Sequence, residues 1–257
     1  MTAALNSKLW LPADWPAPAN VYAGTSWRQG GISQGPYAAL NLAMHVGDDT
    51  QAVLENRRRL GLPTEPVWLN QVHGLTVVDV GRVVEQTSEQ VIEADAAYTN
   101  VAGVICAVLT ADCLPLLLCD QAGSRVVAVH AGWRGLAAGI IDRAVTALQL
   151  PGEQLLAWLG PAIGPHAYEV GEDVREAFLY RDVDAHMAFQ PSRPGHWWMD
   201  IYQLARQQLA QQGVTEVYGG NHCTFQNADN FYSYRRDGVT GRMASVIWFE
   251  SNGPETL

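Results

Sequence analysis

The sequence predicts an α/β (α+β) fold, a single layered domain of mixed β-sheets flanked by helices. Residues 94–120 form near-continuous apolar runs rich in β-branched side chains, as is typical of strands buried on both faces. Residues 136–150 instead carry apolar side chains at helical spacing, and Pro151 and Gly152 follow as a stop signal. With 257 residues, 48% of them hydrophobic and 16% charged, the chain is long and apolar enough to bury a sizeable core.

The N-terminal third is predicted to alternate short strands with turns and one helix. We place the whole domain at residues 1–257, with residues 1–19 as an extended, proline-rich lead-in. A short strand begins at Val21 and runs into a glycine-rich loop. A helix follows in "TQAVLENRRRLGL", capped by Asp49 or Thr50 and ended by Gly61. The next stretch, "EPVWLNQVHGLTVVDV", reads as strand, turn and strand.

The rest of the chain predicts alternating strands and helices, which favours layers around a buried sheet. After the buried strands of residues 94–120, the expected elements are a strand at 126–130, a turn in "AGWRG", the helix 136–150, a strand in "LLAWLGPAIGPHAYEV", helices in "GEDVREAFLY" and "MDIYQLARQQLAQQG", and closing strands in "TEVYGGNHCTF" and "ASVIWFE".

Charge and composition exclude several classes of function. The net charge of −10 argues against general nucleic-acid binding, which requires a basic face. No apolar run is long enough to span a bilayer, and the N-terminus lacks the pattern of a signal peptide, so we expect no membrane association and a cytoplasmic location. Four cysteines without a CxxC pair predict reduced thiols rather than a disulfide framework.

Three polar residues beside turns at strand ends are the first candidate site: His73 in "NQVHG", Cys113 in "TADC" and His130 in "AVHAGWRG". Two imidazoles and a thiolate with an open fourth position are typical of catalytic zinc. The same residues could act without metal, with Cys113 as a nucleophile activated by a histidine. Cys113 alone would also suit a buried core position. The neighbouring Asp112 could orient a histidine or cap a turn.

Two arginine-containing segments are candidate anion sites. The loop "TSWRQGGISQGPYAALN" could cradle an anion with backbone N–H groups and Arg28, or be a plain glycine loop. The segment "FYSYRRDGVTGRMAS" is a local basic patch in an acidic chain and could bind phosphate or a carboxylate. Its alternative is a salt-bridged hairpin with Asp237 and Gly238 at the turn.

Together these motifs resemble a known family. "RQGGISQGPYAALNLAMHVGDD", "NQVHG", "TADCLPLLL", "VHAGWRGL", "LGPAIGPHAYEVGEDV" and "FYSYRRDGVTGRMAS" are similar, in order, to the laccase-domain proteins described as purine nucleoside phosphorylases. The resemblance covers roughly residues 20–250. It implies one zinc ion per chain, held by His73, Cys113 and His130, which are also the implied catalytic residues.

The implied activity is phosphorolysis of adenosine, inosine, guanosine and methylthioadenosine, with adenosine deamination as a side activity. The partners would then be a small nucleoside and phosphate. Arg28 and Arg242 would clamp the phosphate, and Asn41 and Gln71 would hydrogen-bond the sugar or base. His166 departs from the small residue expected in "GPHAYEV", and it could add a ligand, line the pocket or face solvent.

Alternatives to this function remain open at the level of sequence. Bacterial members of the family are linked to peptidoglycan editing, so the same trio could serve an amidohydrolase acting on muramyl precursors that carry L-serine. A single-copper polyphenol oxidase or a non-catalytic metal-binding protein are weaker alternatives, and copper could replace zinc in vitro. Seven histidines are too few for a multicopper oxidase, which needs on the order of ten histidine ligands. We expect a monomer.

Overall fold

The computed structural model describes residues 5–84 and 92–251 and confirms the predicted fold class, with mixed sheets layered against helices. Residues 1–4 of the expected lead-in lie outside the described residues. The strands are β1 (Trp10–Pro12), β2 (Val21–Ser26), β3 (Leu69–Asn70), β4 (Val77–Asp79), β5 (Ile92–Glu93), β6 (Ala96–Thr99), β7 (Cys106–Thr110), β8 (Leu114–Asp120), β9 (Val126–Ala131), β10 (Leu155–Leu159), β11 (Glu169–Gly171), β12 (Phe189–Pro191), β13 (His196–Met199), β14 (Glu216–Gly219) and β15 (Met243–Phe249).

Helices occupy the connections between these strands. They are α1 (Thr50–Arg59), α2 (Val80–Val84), α3 (Trp133–Ala138), α4 (Ile140–Leu148), α5 (Glu172–Leu179), α6 (Ile201–Gln211) and α7 (Tyr234–Asp237). Short 3₁₀ helices lie at Gly35–Tyr37, Gly152–Gln154 and Val183–Ala188. None of the helices within residues 5–84 and 92–251 has the length and apolar character that crossing a bilayer requires.

Two large sheets form the centre of the molecule. A six-stranded sheet has the order β14-β10-β8-β9-β6-β4, with parallel pairing of its two outer pairs and antiparallel pairing between them. A four-stranded antiparallel sheet has the order β1-β2-β15-β7, so the last strand lies between two much earlier ones. Smaller sheets pair β11-β13-β12 and β3-β5.

The strand β8 shows how the layers stack. Leu116 and Leu118 face one apolar cluster with α3, α4 and α6, while Leu117 and Cys119 face another with the four-stranded sheet. Both faces of β8 are therefore buried, which explains its unbroken apolar sequence. The far side of the four-stranded sheet packs on the loop before α1 through Trp248, Leu40 and neighbouring apolar residues.

Two local predictions were wrong. The helix expected over 136–150 is two helices, because Gly139 adopts a left-handed backbone conformation (φ 99°) that ends α3 before α4 begins. The first of these helices starts at Trp133, inside the stretch expected to be a turn. The alternative hairpin at Asp237 and Gly238 is also absent from the described residues, since α7 occupies that position and Ser233 caps it.

Other elements agree with the prediction. Helix α1 has its Asp49 carboxylate accepting the Ala52 N–H at 2.7 Å, as expected of a capping residue. Within the expected lead-in, residues 10–12 pair with β2 as strand β1, and Trp10 is wholly buried. The four cysteines are free, and Cys106 and Cys119 are core residues as predicted.

Candidate metal centre and active-site cavity

The fold brings His73, Cys113 and His130 together at one end of the six-stranded sheet. One ligand atom from each lies within 4.8 Å of those of the other two. Cys113 Sγ is 3.7 Å from His73 Nε2, and the two imidazole rings meet edge to face with centroids 4.7 Å apart. Within the described residues this is the one group of three or more potential metal ligands.

Strand register explains how residues distant in sequence converge. Leu114 pairs with Ala131 and Pro115 with His130, so Cys113 lies just beyond the end of β9 beside the imidazole. His73 follows β3 in a turn and adopts a left-handed conformation (φ 61°). Such a conformation is uncommon for a residue with a Cβ atom and is often found at functional sites.

Gly132 leaves room for the side chains of His73 and Cys113 at this end of the sheet. A Cβ atom built on it would lie 2.5 Å from His73 Cδ2 and 3.2 Å from Cys113 Sγ. A Cβ contact of 2.5 Å essentially never occurs in proteins, so any side chain at this position would displace the His73 ring. The backbone between β9 and α3 thus packs directly against the side chains of His73 and Cys113.

Asp95 supports the histidines and was not singled out from the sequence. Its wholly buried carboxylate lies 2.8 Å from His130 Nδ1 and accepts the His73 backbone N–H at 2.9 Å. The available signal was an acidic residue directly before an apolar strand, in "EADAAY". That signal is weak because its partners lie 22 and 35 residues away.

Cys113 and His130 strongly affect each other's protonation. Burial opposes ionisation of the Cys113 thiol, but the adjacent His130 and His73 outweigh it and lower the pKa of Cys113 to about 6. Burial likewise disfavours the charged imidazole, yet Cys113 and Asp95 raise the pKa of His130 to about 9. The metal-free site therefore favours a thiolate beside an imidazolium near neutral pH.

The donor set and the spacing of one ligand pair are compatible with a zinc ion, which His73, Cys113 and His130 would hold. Zinc–sulfur and zinc–nitrogen bonds of about 2.3 and 2.05 Å at a tetrahedral angle place the two ligand atoms about 3.6 Å apart, and Cys113 Sγ and His73 Nε2 are 3.7 Å apart. Asp95 supplies the carboxylate partner that metal-bound histidines ordinarily have. The donor set of two imidazoles and one thiolate also suits copper.

The cluster opens into a cavity of about 540 Å³, a size typical of small-molecule sites. Aromatic and cationic side chains surround the candidate ligands. The lining residues are His45, Gln71, His73, Leu109, Thr110, Ala111, Asp112, Cys113, His130, Trp133, Arg134, Ile163, Tyr168, Tyr234, Arg235 and Arg242.

Three arginines, Arg134, Arg235 and Arg242, line the cavity and are called the arginine wall below. The Arg134 guanidinium lies over the Trp133 ring, and that of Arg235 lies over the Tyr168 ring. Arg242 was a predicted anion-binding residue, whereas Arg134 and Arg235 were missed as individual candidates although both stood in quoted motifs. Their cavity position depends on how α3 and α7 begin, which the sequence does not reveal.

Two of the predicted substrate-binding residues do not line the cavity. Arg28 donates to the carbonyls of Ala38 and Ala228, so its guanidinium anchors the glycine loop instead. Asn41 is wholly buried, and its Oδ1 accepts the Arg242 backbone N–H at 2.9 Å. Asn41 therefore supports a cavity residue without reaching the cavity.

Gln71 lines the cavity, but its amide is used within the protein. Its Nε2 donates to the Leu109 carbonyl at 2.8 Å and its Oε1 accepts the Leu109 N–H at 2.7 Å. This paired contact joins the turn before His73 to strand β7. Gln71 thus has its polar atoms directed at the backbone rather than at a ligand.

Of the two roles predicted for Asp112, the structure supports the capping of a turn and not the orientation of a histidine. Its carboxylate accepts Thr224 Oγ1 at 2.6 Å, Ser233 Oγ at 3.0 Å and the Arg235 backbone N–H at 2.6 Å. His166 is exposed and lines a neighbouring cavity of about 340 Å³ instead of the one beside Cys113. The structure therefore does not place His166 as a fourth ligand.

Comparison with known proteins gives a consistent result. The family model described as "Multi-copper polyphenol oxidoreductase laccase" matches residues 22–250. The chain is 53% identical over 244 residues to purine nucleoside phosphorylase PA4543 of Pseudomonas aeruginosa, covering 94% of this chain and 98% of that protein. It is 51% identical over 248 residues to purine nucleoside phosphorylase YfiH of Escherichia coli, covering 94% of this chain and 99% of that protein.

Solved structures agree with the sequence matches. The crystal structure of Neisseria meningitidis protein NMB0706 superimposes with a TM-score of 0.89 at 48% identity, covering 94% of this chain and 99% of that one. YlmD from Geobacillus stearothermophilus gives 0.85 at 33% identity, covering 96% and 98%. With a matching model over most of its length and relatives of this similarity, the chain belongs to the multi-copper polyphenol oxidoreductase laccase family.

Proposed function

We propose that this protein is a zinc-dependent purine nucleoside phosphorylase with adenosine deaminase side activity. The observation that carries the proposal is a single cavity that combines a His–Cys–His cluster with three arginines. Relatives at 53% and 51% identity are named purine nucleoside phosphorylases, which supports the same reaction class.

The arginine wall suits the phosphate that phosphorolysis consumes. In this reaction a phosphate oxygen bonds to C1′ of the ribose while the C1′–N9 bond breaks. The purine leaves with the bonding electrons and takes up a proton, and the sugar becomes ribose 1-phosphate. Charge develops on the sugar and base, so positioning and electrostatics dominate such a step. We assign Arg242, Arg134 and Arg235 to the phosphate and not Arg28, whose guanidinium bonds carbonyls outside the cavity.

Tyr168 is suited to act on the leaving purine. Burial and the nearby Cys113 charge raise the pKa of its hydroxyl, so the group stays protonated at neutral pH. A protonated hydroxyl in the cavity can donate a hydrogen bond to a purine nitrogen as negative charge develops there. Trp133 lies in the same cavity and offers an aromatic face for the base.

His73, Cys113 and His130 would hold the metal. A zinc ion bound there would polarise a substrate oxygen or activate water, the second of which suits deamination of adenosine. Deamination replaces the amino group at purine C6 by the oxygen of water and releases ammonia. Both reactions can share one cavity because they act on the same bound nucleoside.

The alternatives are less well supported by the geometry. A multicopper oxidase requires several copper centres, whereas the described residues contain one cluster of three ligands. An amidohydrolase editing muramyl precursors would need an open groove for a bulky substrate. The cavity here lies within the about 300–1,000 Å³ range of small-molecule sites, which favours a nucleoside.

The test is phosphate-dependent release of free base from adenosine and inosine, followed by chromatography on protein of known zinc content. We expect base and ribose 1-phosphate from the wild type. Cys113→Ala should lose more than about 100-fold in kcat/KM, because losing even a ligand's supporting partner costs about 10- to 100-fold. Cys223→Ala is the matched control, since Cys223 is a half-buried thiol on the neighbouring cavity.

Equal turnover by wild type and Cys113→Ala would contradict the assigned site. An absence of base release from a zinc-loaded wild type would contradict the phosphorylase. In that event, release of L-serine from a muramyl-serine substrate would support the amidohydrolase. Ammonia release from adenosine, measured in the same samples, tests the deaminase activity separately.

A further inference from the structure

Asp95 occupies a position from which it controls both candidate histidine ligands. It lies directly before β6, and its side chain is wholly buried beneath the turn that carries His73. A buried carboxylate is costly unless hydrogen-bond donors surround it. The donors that surround it come from His130 and from the turn that carries His73.

Four donors converge on the two carboxylate oxygens. Oδ1 accepts the His73 backbone N–H at 2.9 Å and lies 2.8 Å from His130 Nδ1. Oδ2 accepts the Gly74 N–H at 2.6 Å and the Val72 N–H at 3.3 Å. The Asp95 backbone carbonyl also accepts the His130 backbone N–H at 2.7 Å, so the two residues are joined twice.

Each of these bonds fixes a different degree of freedom. A carboxylate against His130 Nδ1 holds the proton on that nitrogen and leaves Nε2 free as the ligand atom. The N–H bonds from three successive residues hold the turn in which His73 takes its left-handed conformation. One side chain therefore sets the tautomer of one histidine and the backbone of the other.

We infer that Asp95 is the positioning residue of the metal centre, holding His73 and His130 in the arrangement that binds the ion. It does so without touching the ion or the substrate, since both oxygens face donors of the protein. The inference rests on the proposed function, because it assumes that the three residues bind metal.

Asparagine cannot replace this residue. All four groups around the carboxylate donate, counting His130 Nδ1 with its proton. The amide NH₂ of asparagine would face donors at either oxygen position. Asp95→Asn thus nearly preserves shape while setting a donor against a donor.

The experiment compares zinc affinity, measured by competition with a chromogenic chelator, in wild type and Asp95→Asn. We expect about 10- to 100-fold weaker binding, the usual cost of losing a ligand's carboxylate partner. Cobalt(II) supplies an independent readout, since the visible absorption of its tetrahedral complex should weaken and shift in the variant.

Asp120→Asn is the matched control. Asp120 is another buried carboxylate, at the opposite end of β8, and it accepts the N–H groups of Ser124 and Arg125 at 2.7 and 2.9 Å. It holds a turn but no histidine. We expect this variant to lose stability while keeping wild-type zinc affinity and cobalt absorption.

Wild-type zinc affinity in folded Asp95→Asn would overturn the inference alone and leave the proposed function standing. A wild type that binds no zinc would overturn both. If Asp95→Asn does not fold, long-range ¹H–¹⁵N spectra of the zinc-loaded wild type decide the question, with His130 assigned through His130→Gln. A proton on Nδ1 of His130 supports the inference, and a proton on Nε2 overturns it.

Discussion

Two buried carboxylates lie beside the cavity, and they join different kinds of structure. Asp95 connects the turn at His73 to His130 within β9, so it braces ligands that rest on a sheet. Asp112 connects Thr224, Ser233 and Arg235, all of which lie outside the two large sheets. The ligand wall, formed by His73, Cys113 and His130, thus lies at the end of the six-stranded sheet, whereas the arginines come from α3, from α7 and from the residue before β15.

The difference separates a part of the site that is fixed by strand pairing from a part that is fixed by side-chain bonds. Strand pairing of β8 with β9 sets the spacing of the candidate ligands to within the register of the ladder. The position of Arg235 depends instead on the Asp112 carboxylate, which accepts its backbone N–H, and Asp112 itself has a left-handed backbone (φ 88°). We expect the ligand wall to set the chemistry and the arginine wall to set affinity for the anion.

The largest expected effect comes from a substitution of Gly132 that displaces the His73 ring. In Gly132→Ala the new methyl group must displace the His73 ring, because its Cβ would lie 2.5 Å from Cδ2. We expect kcat/KM for phosphorolysis to fall more than about 100-fold, since a misplacement of about 1 Å costs on this order. The measurement is base release together with zinc content.

Gly171→Ala is the control for this change. Gly171 also precedes a helix, α5, and a Cβ there would meet only the end of the Asp173 side chain, which can turn away. Activity and zinc content should stay near those of the wild type. Full activity in Gly132→Ala would show that the His73 ring tolerates displacement, which contradicts a fixed arrangement of the candidate ligands.

A smaller effect is expected from the arginine wall. Arg242→Gln removes a guanidinium from the cavity, together with its bonds to the Thr240 and Gly241 carbonyls, but keeps the backbone N–H that Asn41 holds. A hydrogen bond to a charged group is worth about 1.5–3 kcal/mol, so KM for phosphate should rise about 10- to 150-fold. Initial rates at varied phosphate concentration, with kcat reported separately, make the measurement.

Arg28→Gln is the control variant for Arg242→Gln. Its guanidinium bonds the Ala38 and Ala228 carbonyls and does not line the cavity, so we expect a loss of stability in denaturant unfolding without a specific rise in the phosphate KM. If Arg28→Gln raised that KM more than Arg242→Gln, the assignment of the wall would be wrong and the glycine loop would be the anion site.

The smallest expected effect is a shift in the pH at which Cys113 reacts. The two histidines lower the pKa of this thiol to about 6 despite its burial, so alkylation of zinc-free protein should reach half its maximal rate near pH 6. An ordinary cysteine does so at about 8.5. Mass spectrometry after iodoacetamide labelling across a pH series makes the measurement.

Zinc and the buried cysteines serve as internal controls for that labelling. Zinc should protect Cys113, while Cys106 and Cys119 should stay unlabelled in the native protein because both are wholly buried. Labelling of Cys113 at an unchanged rate in the presence of zinc would show that its sulfur is not a ligand.

Sequence reasoning reached the parts of the molecule that depend on local pattern. The apolar runs around Cys113 and His130 predicted buried strands, and strand ends are where functional side chains gather. Bonds that join distant segments carry no local signal. Asp95 is an ordinary acidic residue until His73 and His130 fold against it, and the carbonyls that bind Arg28 come from both ends of the chain.

The same limit explains the broken helix and the choice between arginines. Gly139 has apolar periodicity on both sides, and only its left-handed conformation separates α3 from α4. Arg134 enters the cavity because α3 begins at Trp133, one turn earlier than the pattern predicts. In both cases a backbone conformation at one residue decided what periodicity alone could not.

The place of β15 in the four-stranded sheet has a consequence for the order in which the protein can assemble. This strand pairs with β2 on one side and β7 on the other, and Arg242 immediately precedes it. During synthesis, β2 and β7 leave the ribosome long before the strand that joins them and expose unpaired edges in the interval. The four-stranded sheet and the arginine wall therefore form together and late, as expected of a chain dominated by contacts distant in sequence.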